Sequence, residues 1–396
     1  MIIVRALRAS ARPALALGAI VAAATGAYVS YARITPNARP APPFAALQGQ
    51  GQRLLISEFG QKADTLVAVD PADVSQRTEI ARIDHAPEYG IFAALSPDRR
   101  AVAYTALPPD APRPSPDAPA VAAIVDTNGD VTELADDVDL LVTPVWTPDS
   151  TAVVVRRTTP CDAACEDGAT GGWTLLLLRR DGARADITTW HSAAPFPIGF
   201  APDGATLYFT TIGPDGTDLY RVAPDGSDET KVAHLSDDVA RDWRLSPDGT
   251  QIAFAAGESG HDPQVVARIV DLTTGDVRDA VADLAAGPPS TGVARGEFNP
   301  VWRPDGSLAI GAMNLDGGAN AVAVDGAGAA TGVTARADAL DLPLSWSPDG
   351  AYLAVRSVEG RTPFDAGATH IDLVDTSGAR QRVSDSADVL VVGWLR

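Results

Sequence analysis

Two short segments of the sequence contain residue types that could do chemistry. Residues 126–130 (DTNGD) begin like a calcium-binding loop, whose carboxylate oxygens ligate the ion. That pattern needs a glycine at its sixth position, where Val131 stands, and a glutamate at its twelfth, where Asp137 stands. Residues 257–261 (GESGH) partly match a nucleophile elbow, but His261 stands in place of the second glycine. We therefore expect a turn and a loop at these positions.

Acidic residues are a third candidate, and their chemistry is binding rather than catalysis. They lie where one sequence repeat leads into the next, and we call these twelve residues the acidic rim: Glu88, Asp136, Asp137, Asp139, Asp237, Asp238, Asp242, Glu297, Asp338, Asp341, Asp385 and Asp388. If they surround one mouth of a central channel, they attract cations or segments rich in Lys and Arg. The alternative is that they are ordinary surface acids of an acidic protein. We predict that the acidic rim, with the long loops of the same face, contacts a partner.

The charge of the chain excludes some partners. Its 396 residues include 31 Lys and Arg against 51 Asp and Glu, for a net charge of −20. The first 50 residues hold five arginines and no acid, so the remainder is more acidic still. Such a body repels nucleic acid and anionic lipid surfaces.

The elements that must position these residues are sequence repeats. Six copies place an aromatic or aliphatic residue two positions before Pro-Asp: Leu95–Asp98, Trp146–Asp149, Phe200–Asp203, Leu245–Asp248, Trp302–Asp305 and Trp346–Asp349. Proline presets φ for a turn, and the glycine that often follows accepts positive φ. A repeat of this length, made of short apolar strands and turns, is typical of propeller blades.

The two ends of the repeat array complement each other. Residues 53–57 match the second strand of a repeat, with no first strand before them, and residues 389–394 match a first strand with nothing after it. The sequence therefore predicts an all-β fold: a seven-bladed β-propeller of four-stranded blades over residues 53–396. The C-terminal strand is expected to close the first blade, which protects the sheet edges.

These repeats resemble the TolB-type, WD40-like propeller repeats of bacterial envelope proteins, in which an aromatic or aliphatic residue precedes Ser-Pro-Asp-Gly and a short apolar strand. The resemblance covers residues 53–396. It implies a β-propeller of the cell envelope that takes part in protein–protein interaction. Similar propellers cap serine peptidases of the prolyl oligopeptidase type, but we expect no hydrolase domain in this chain.

The N-terminal segment looks like a targeting sequence. Residues 14–32 contain no charge and follow three arginines, and as a helix they would span roughly 28 Å, close to the hydrocarbon thickness of a bilayer. We predict a signal-anchor helix in residues 1–33, with a cleaved signal peptide as the alternative. Residues 34–52, rich in Pro and Ala, are predicted to be a linker. The propeller would then lie on the extracytoplasmic, periplasmic side of the cell membrane, or be secreted if the signal is cleaved.

The two cysteines agree with that compartment. Cys161 and Cys165 lie in a polar stretch, and a local disulfide between them would persist only in an oxidising environment. The spacing differs from that of a redox pair, and two cysteines without a nearby histidine are too few for a metal site.

From these observations we expect a binding protein rather than an enzyme. The predicted function is protein–protein interaction by a membrane-tethered propeller, as a subunit or scaffold of an envelope complex, with no cofactor and no nucleic acid. The alternative is a propeller hydrolase or lactonase-like enzyme with a metal at the channel mouth. A purely structural subunit of a larger assembly is the third possibility.

Overall fold

A computed structural model describes residues 51–126, 128–160, 171–258, 264–281, 296–313, 319–324, 330–332, 340–359, 367–386 and 388–395. The predicted anchor (1–33), nearly all of the linker (34–52), the predicted disulfide of Cys161 and Cys165, and Asp338 of the acidic rim lie outside these residues. Within the described ranges, the structure contains no helix with the length and hydrophobicity needed to cross a bilayer.

The described residues form sheets of short, mostly antiparallel strands. The first sheet has the order β28-β1-β2-β3: β1 (Arg53–Glu58), β2 (Ala63–Val69), β3 (Arg77–Asp84) and β28 (Val389–Leu395). The second sheet contains β4 (Phe92–Leu95), β5 (Ala101–Ala106), β6 (Pro119–Asp126) and β7 (Val131–Asp139). The third sheet contains β8 (Val145–Trp146), β9 (Ala152–Pro160), β10 (Gly171–Arg179) and β11 (Arg184–Trp190). The fourth sheet contains β12 (Ala194–Phe200), β13 (Leu207–Gly213), β14 (Gly216–Val222) and β15 (Thr230–Ser236).

The remaining strands form two sheets of different size. An eight-stranded sheet contains β16 (Ala240–Leu245), β17 (Gln251–Glu258), β18 (Gln264–Asp271), β19 (Val277–Asp279), β20 (Gly296–Trp302), β21 (Leu308–Met313), β22 (Ala319–Val324) and β23 (Ala330–Gly332). The last sheet contains β24 (Leu340–Trp346), β25 (Tyr352–Val358), β26 (Thr369–Asp375) and β27 (Arg380–Ser384).

The prediction of seven blades is wrong, because the described strands form six hydrogen-bonded sheets. The strands of the fifth and sixth repeats share one sheet, since Val265 in β18 pairs in parallel with Gly296 in β20. β18 is the third strand of the fifth repeat, and its usual partner β19 is only three residues long. Because β19 pairs only with Arg268–Val270, the edge of β18 at Val265 can pair with β20. The repeats were counted from turn motifs, which do not reveal hydrogen bonds between neighbouring repeats. Counted as sheets, the propeller has six blades.

The predicted closure of the first sheet by the C-terminal strand is confirmed. β28 pairs with β1 in antiparallel register, with Leu54 opposite Trp394 and Arg53 opposite Leu395. Gly393, at φ +155°, allows β28 to approach the second sheet, because a Cβ there would lie 3.3 Å from Cβ of Leu95. The first and last parts of the chain therefore share one sheet.

The core lies between the sheets, which is why the second strands are apolar on both faces. All six residues of β5 are buried, and Val153, Val154 and Val155 in β9 are each at most 1% exposed. Alternate residues of such a strand pack against different neighbouring sheets: Val153 and Val155 against the second sheet, Val154 against the fourth. Each buried side chain of this size contributes roughly 1.5–3 kcal/mol.

The first strand of each repeat lies at the centre of the propeller, and we call β4, β8, β12, β16, β20, β24 and β28 the inner strands. β28 contacts β4, and β8, β12, β16, β20, β24 and β28 contact one another in succession. β4 and β8 are joined by a hydrogen bond from Nε1 of Trp146 to the carbonyl of Ala94, at 2.9 Å. The inner strands therefore form a closed ring.

Each repeat turn is closed by a small network of hydrogen bonds, shown in full after Trp346. The Gly350 N–H donates to the Ser347 carbonyl at 2.8 Å. The Ser347 hydroxyl donates to Asp349 Oδ1 at 2.6 Å and accepts from the Tyr352 N–H at 2.9 Å. Gly350 has φ +68°, a conformation that favours glycine, although Arg99 and Ser150 adopt φ +59° and +61° at the same position of two other repeats. The repeated motif is thus a structural turn, as the sequence predicted.

If closure by β28 stabilises the whole ring, the β1–β28 interface behaves as core. We expect Leu54→Ala to lower the free energy of unfolding by about 2–5 kcal/mol, because Leu54 is fully buried against this interface. The control, Val131→Ala, alters a side chain that is 55% exposed and should change stability by less than about 0.5 kcal/mol. Chemical denaturation of the purified chain measures both, and equal losses would contradict a closed ring.

Candidate functional site

The structure places the acidic rim differently from the sequence prediction. Six of its residues lie inside strands rather than in connections: Asp136, Asp137 and Asp139 in β7, Asp242 in β16, Glu297 in β20 and Asp341 in β24. Five lie in connections between sheets: Glu88, Asp237, Asp238, Asp385 and Asp388.

Arginines contact several of these acids. Asp139 accepts a hydrogen bond from Nε of Arg156, and Asp137 lies 3.4 Å from Arg157 Nη1 and 3.7 Å from Arg184 Nη1. The Asp139 pair is largely buried, whereas the Asp137 pairs are partly exposed and contribute little to stability, although they neutralise charge locally.

Two further rim acids are buried and have structural partners. Asp341 is fully buried and accepts hydrogen bonds from Arg380, whose guanidinium also donates to Asp372 at 3.1 Å. Glu297 is 1% exposed and accepts a hydrogen bond from the Ala267 N–H at 2.9 Å. Asp341 and Glu297 are therefore parts of the core, and they are inaccessible to a partner.

A buried network fixes the connection that contains Glu88. Asp64 is 3% exposed and contacts Nε2 of His85 at 2.9 Å, while it accepts from the Ile91 N–H at 3.1 Å and the Ser57 hydroxyl at 3.3 Å. Glu88 itself is exposed, at φ +73°. The network therefore holds Glu88 on the surface of this face.

Asp242 lies in the inner strand β16, and Asp388 directly precedes the inner strand β28. Asp242 occupies a β-bulge of the inner strand β16, at φ +57°. The register with β17 shifts there, because Arg241 pairs with Ala255 and Arg244 pairs with Ala253. Burial raises the pKa of Asp242, against the opposing effect of Arg241, Arg244 and Arg356. Burial also raises the pKa of Asp388, and Arg356 again opposes it.

One exposed cluster of the rim contains a histidine between two carboxylates. Nδ1 of His234 lies 2.7 Å from Asp218, and its Nε2 lies 3.1 Å from Asp237. Lys231 Nζ also donates to Asp218, at 2.7 Å. The hydrogen bond with Asp218 is the largest cause that raises the pKa of His234 above its ordinary 6.5, and Asp237 adds to it against some desolvation. The role of the acidic rim in partner binding remains a prediction, but much of its charge is paired within the protein.

The opposite face is acidic as well, and most of its aspartates are exposed. We call it the turn face. It contains the inner turns, which follow the inner strands, and the outer turns, which join the third and fourth strands. Every inner turn presents an exposed carboxylate: Asp98, Asp149, Asp203, Asp248, Asp305 and Asp349. The outer turns add Asp70, Asp73, Asp126, Asp130, Asp181, Asp225, Asp228, Asp271, Asp276 and Asp375. Arginines are fewer in these turns: Arg99, Arg100, Arg179, Arg180 and Arg303.

Hydrogen bonds within the turns lower the pKa of several of these aspartates. A serine or threonine hydroxyl two residues away is the largest cause that lowers the pKa of Asp149, Asp248, Asp305 and Asp349. The same applies to Asp73, Asp225 and Asp375 of the outer turns. At neutral pH the turn face therefore has a ring of fixed negative charges. Asp126, from the DTNGD segment, also lies on this face, and it accepts a hydrogen bond from the Asn128 N–H at 2.8 Å, in the predicted turn.

A depression of about 510 Å³, lined mainly by tryptophan and proline residues, lies inside this ring, at the mouth of the channel, and we call it the tryptophan mouth. Its walls come from inner strands and inner turns of several repeats: Leu95, Ser96, Pro97, Arg99, Pro247, Trp302, Pro304, Trp346, Pro348, Val392, Gly393 and Trp394. Tryptophan and proline are rigid, so such a surface loses little conformational entropy on binding.

The indole N–H groups around the ring are not equivalent. Trp146 and Trp302 each donate to the inner strand of the preceding repeat, at the carbonyls of Ala94 and Arg244. Trp346 and Trp394 have buried Nε1 atoms with no hydrogen-bond acceptor. The repeats before Trp146 and Trp302 have a leucine at the equivalent position. The repeats before Trp346 and Trp394 have a tryptophan there.

The sequence prediction had assigned this face to structure alone and had missed the mouth. The signal was present, because three consecutive repeats end their first strand in tryptophan: Trp302, Trp346 and Trp394. Their convergence depends on the ring closure, which brings Trp394 beside Trp346. In the part of the chain that the structure describes, no group of three or more His, Cys, Asp or Glu side chains is arranged to hold a metal ion.

Solved structures of other proteins share this architecture. TolB from Acinetobacter baumannii matches with a TM-score of 0.49 and 14% identity, over 89% of this chain and 69% of TolB. A prolyl endopeptidase matches with a TM-score of 0.55 and 14% identity over 89% of this chain, which spans about half (53%) of that enzyme. An oligogalacturonate lyase from Vibrio parahaemolyticus matches with a TM-score of 0.51 and 14% identity, over 81% of this chain and 91% of the lyase. No family model and no curated protein matches the chain.

At these identities the likeness of the prolyl endopeptidase and of the lyase shows the fold alone, a β-propeller, the class that the repeats predicted, and not their activities. The fold therefore does not decide between binding and catalysis, and the site must be considered for itself.

The His234 cluster gives a prediction about pH. Because its pKa is raised in the folded protein, His234 stabilises the fold below pH 6.5, and this contribution is lost as the pH rises through the raised pKa. NMR titration should place the pKa of His234 above the value in an Asp218→Asn variant. Asp237→Asn, which removes the weaker contact, should lower it less. An unchanged His234 pKa in both variants would show that the cluster does not form.

Proposed function

We propose that the chain is a membrane-tethered, extracytoplasmic propeller that binds another protein, as a subunit or scaffold of an envelope complex, and that it does not catalyse a reaction. The observation that supports this most is the tryptophan mouth. Tryptophan, held in place by proline-containing turns, is the residue type most enriched at the energetic centres of protein interfaces. A charged rim around a centre rich in aromatic side chains is also the usual anatomy of such an interface.

The position of the chain ends agrees with this proposal. Arg53 begins β1 opposite Leu395, near the end of β28, so both ends leave the propeller at the turn face. Gln52 donates a hydrogen bond to Asp349 of an inner turn, beside Pro348 of the mouth. A tether formed by residues 34–52 would therefore attach to the propeller on the face that contains the mouth.

An enzymatic function is the second candidate, and one observation favours it. Asp242 is a carboxyl group with a raised pKa, held by a bulge in an inner strand, and such groups are enriched at catalytic sites. The described residues do not supply the donor cluster that a metal-dependent lactonase or hydrolase needs. Asp242 also has an ordinary explanation as the counter-ion of Arg241, which lies 3.8 Å away.

Site-specific photocrosslinking in the native membrane tests the proposal. A photoreactive p-benzoylphenylalanine in place of Pro304, in the mouth, should crosslink the full chain to a distinct protein. The same group in place of Asp136, on the acidic rim, is the matched control, and Trp346→Ala should abolish the Pro304 crosslink. A crosslink from position 136 alone would transfer the function to the acidic rim. Recovery of an uncrosslinked monomer from both positions would contradict protein binding.

A further inference from the structure

The chain enters the propeller beside the tryptophan mouth. Gln52 is partly buried, and its side-chain amide donates a hydrogen bond to Asp349, the residue after Pro348 of the mouth. Gly51, the first residue that the structure describes, is exposed at φ +87°, a conformation that favours glycine. Residues 34–50 therefore join the propeller at the edge of the depression.

The sequence of those residues suits a surface of tryptophan and proline. Residues 40–44 read Pro-Ala-Pro-Pro-Phe, and Leu47 follows them. Proline-rich segments dock into grooves lined by aromatic side chains, because their backbone is already extended and loses little conformational entropy on binding. The mouth presents Trp302, Trp346 and Trp394 within one depression. A proline-rich segment that begins beside a tryptophan-lined depression is the observation that points to this occupant.

The length of the chain permits this contact. Nine residue steps lead from Gln52 back to Pro43, which gives a reach of up to about 30 Å at roughly 3.3–3.6 Å per residue. The wall of the mouth at Pro348 is adjacent in sequence to the residue that Gln52 contacts, so this reach is ample. A segment joined by so short a connection has an effective concentration in the millimolar range, so a contact with a dissociation constant of about 0.1 mM would be mostly occupied.

Charge and volume agree with the same occupant. Residues 34–50 contain Arg39 and no acid. The lowered pKa values of Asp248 and Asp349 keep both carboxylates ionised at neutral pH, so they attract rather than repel this segment. The depression of about 510 Å³ has the volume of a small-ligand site, which holds a few side chains of a peptide.

We propose that residues 40–47 of the chain itself occupy the tryptophan mouth when no partner is bound, with Pro42, Pro43 and Phe44 against the indole rings. This inference rests on the proposed function, because it concerns the regulation of the same site. A partner binds by displacing the segment, and the fraction of chains with a free mouth limits its apparent affinity. Because residues 40–47 follow the predicted anchor (1–33), they stay on the chain whether or not a signal peptide is removed.

A photoreactive group in the purified full chain tests this contact. In place of Pro304, in the mouth, p-benzoylphenylalanine should crosslink within the chain to residues 38–50, as mapped by mass spectrometry. The control is the same group in place of Ala72, which is exposed in the turn after β2, where Asp70 pairs with Arg53 at 3.2 Å, outside the mouth. The yield from position 304 should be about tenfold higher, because docking concentrates the segment at the mouth. Equal yields would show proximity alone and overturn the inference.

Serine in place of the two adjacent prolines gives a second test. The double variant Pro42→Ser, Pro43→Ser should lose the intrachain crosslink from position 304 and keep the thermal unfolding of the propeller unchanged. The matched control is Pro36→Ser, in the same segment but outside the proposed contact, and it should keep the crosslink. A synthetic peptide of residues 38–50 should bind the double variant about tenfold more tightly than the unaltered chain, because the intramolecular copy no longer competes. Equal affinity for both chains would contradict occupation of the mouth.

Crosslinking in the native membrane separates this inference from the proposed function. There the double variant Pro42→Ser, Pro43→Ser should raise the yield of the crosslink from position 304 to a partner protein. If position 304 crosslinks another protein but never residues 38–50, the proposed function stands and this inference falls. If it crosslinks residues 38–50 alone, in the membrane as well, this inference stands and the mouth is not where a partner binds.

Discussion

The pairing of the last strand with the first is the interaction on which the rest of the structure depends. Every sheet of a propeller buries both faces, so an open array would leave two apolar faces and one inner edge exposed to water. The Leu54–Trp394 pair removes that exposure with strands from opposite ends of the chain. Closure also has a local consequence, because it places Trp394 next to Trp346 and so completes one wall of the tryptophan mouth.

The repeated turn has two effects that are usually considered separately. The hydrogen bond from Ser347 to Asp349 closes the turn, and the same bond lowers the pKa of the Asp349 carboxyl. A residue selected for turn geometry thus becomes a fixed negative charge at the channel mouth. Because the turn recurs in each repeat, the structural requirement alone generates an acidic ring, and a partner could exploit it without any residue dedicated to binding.

The two faces of the propeller treat their acids in different ways. On the loop-rich face, acids such as Asp139 and Asp341 are paired with arginines, and Glu297 is buried. On the turn face, aspartates such as Asp248 and Asp349 bond to their own turns through neutral hydroxyl and N–H groups, whereas Asp305 also lies 3.5 Å from Arg303 and Asp70 lies 3.2 Å from Arg53. Acidic composition is therefore a poor guide to an acidic surface, because pairing decides which charges a partner meets.

The sequence by itself determined the class of the fold, the turn at each repeat and the closure by residues 389–394, because these depend on local periodicity and on turn chemistry at fixed spacing. It did not determine the number of sheets, since the contact of Val265 with Gly296 joins residues whose pairing no local pattern specifies. It also did not reveal the state of Asp341 or of the Trp394 N–H. Burial, ion pairing and unused donors are properties of neighbours far apart in the chain, and only the closed ring brings those neighbours together.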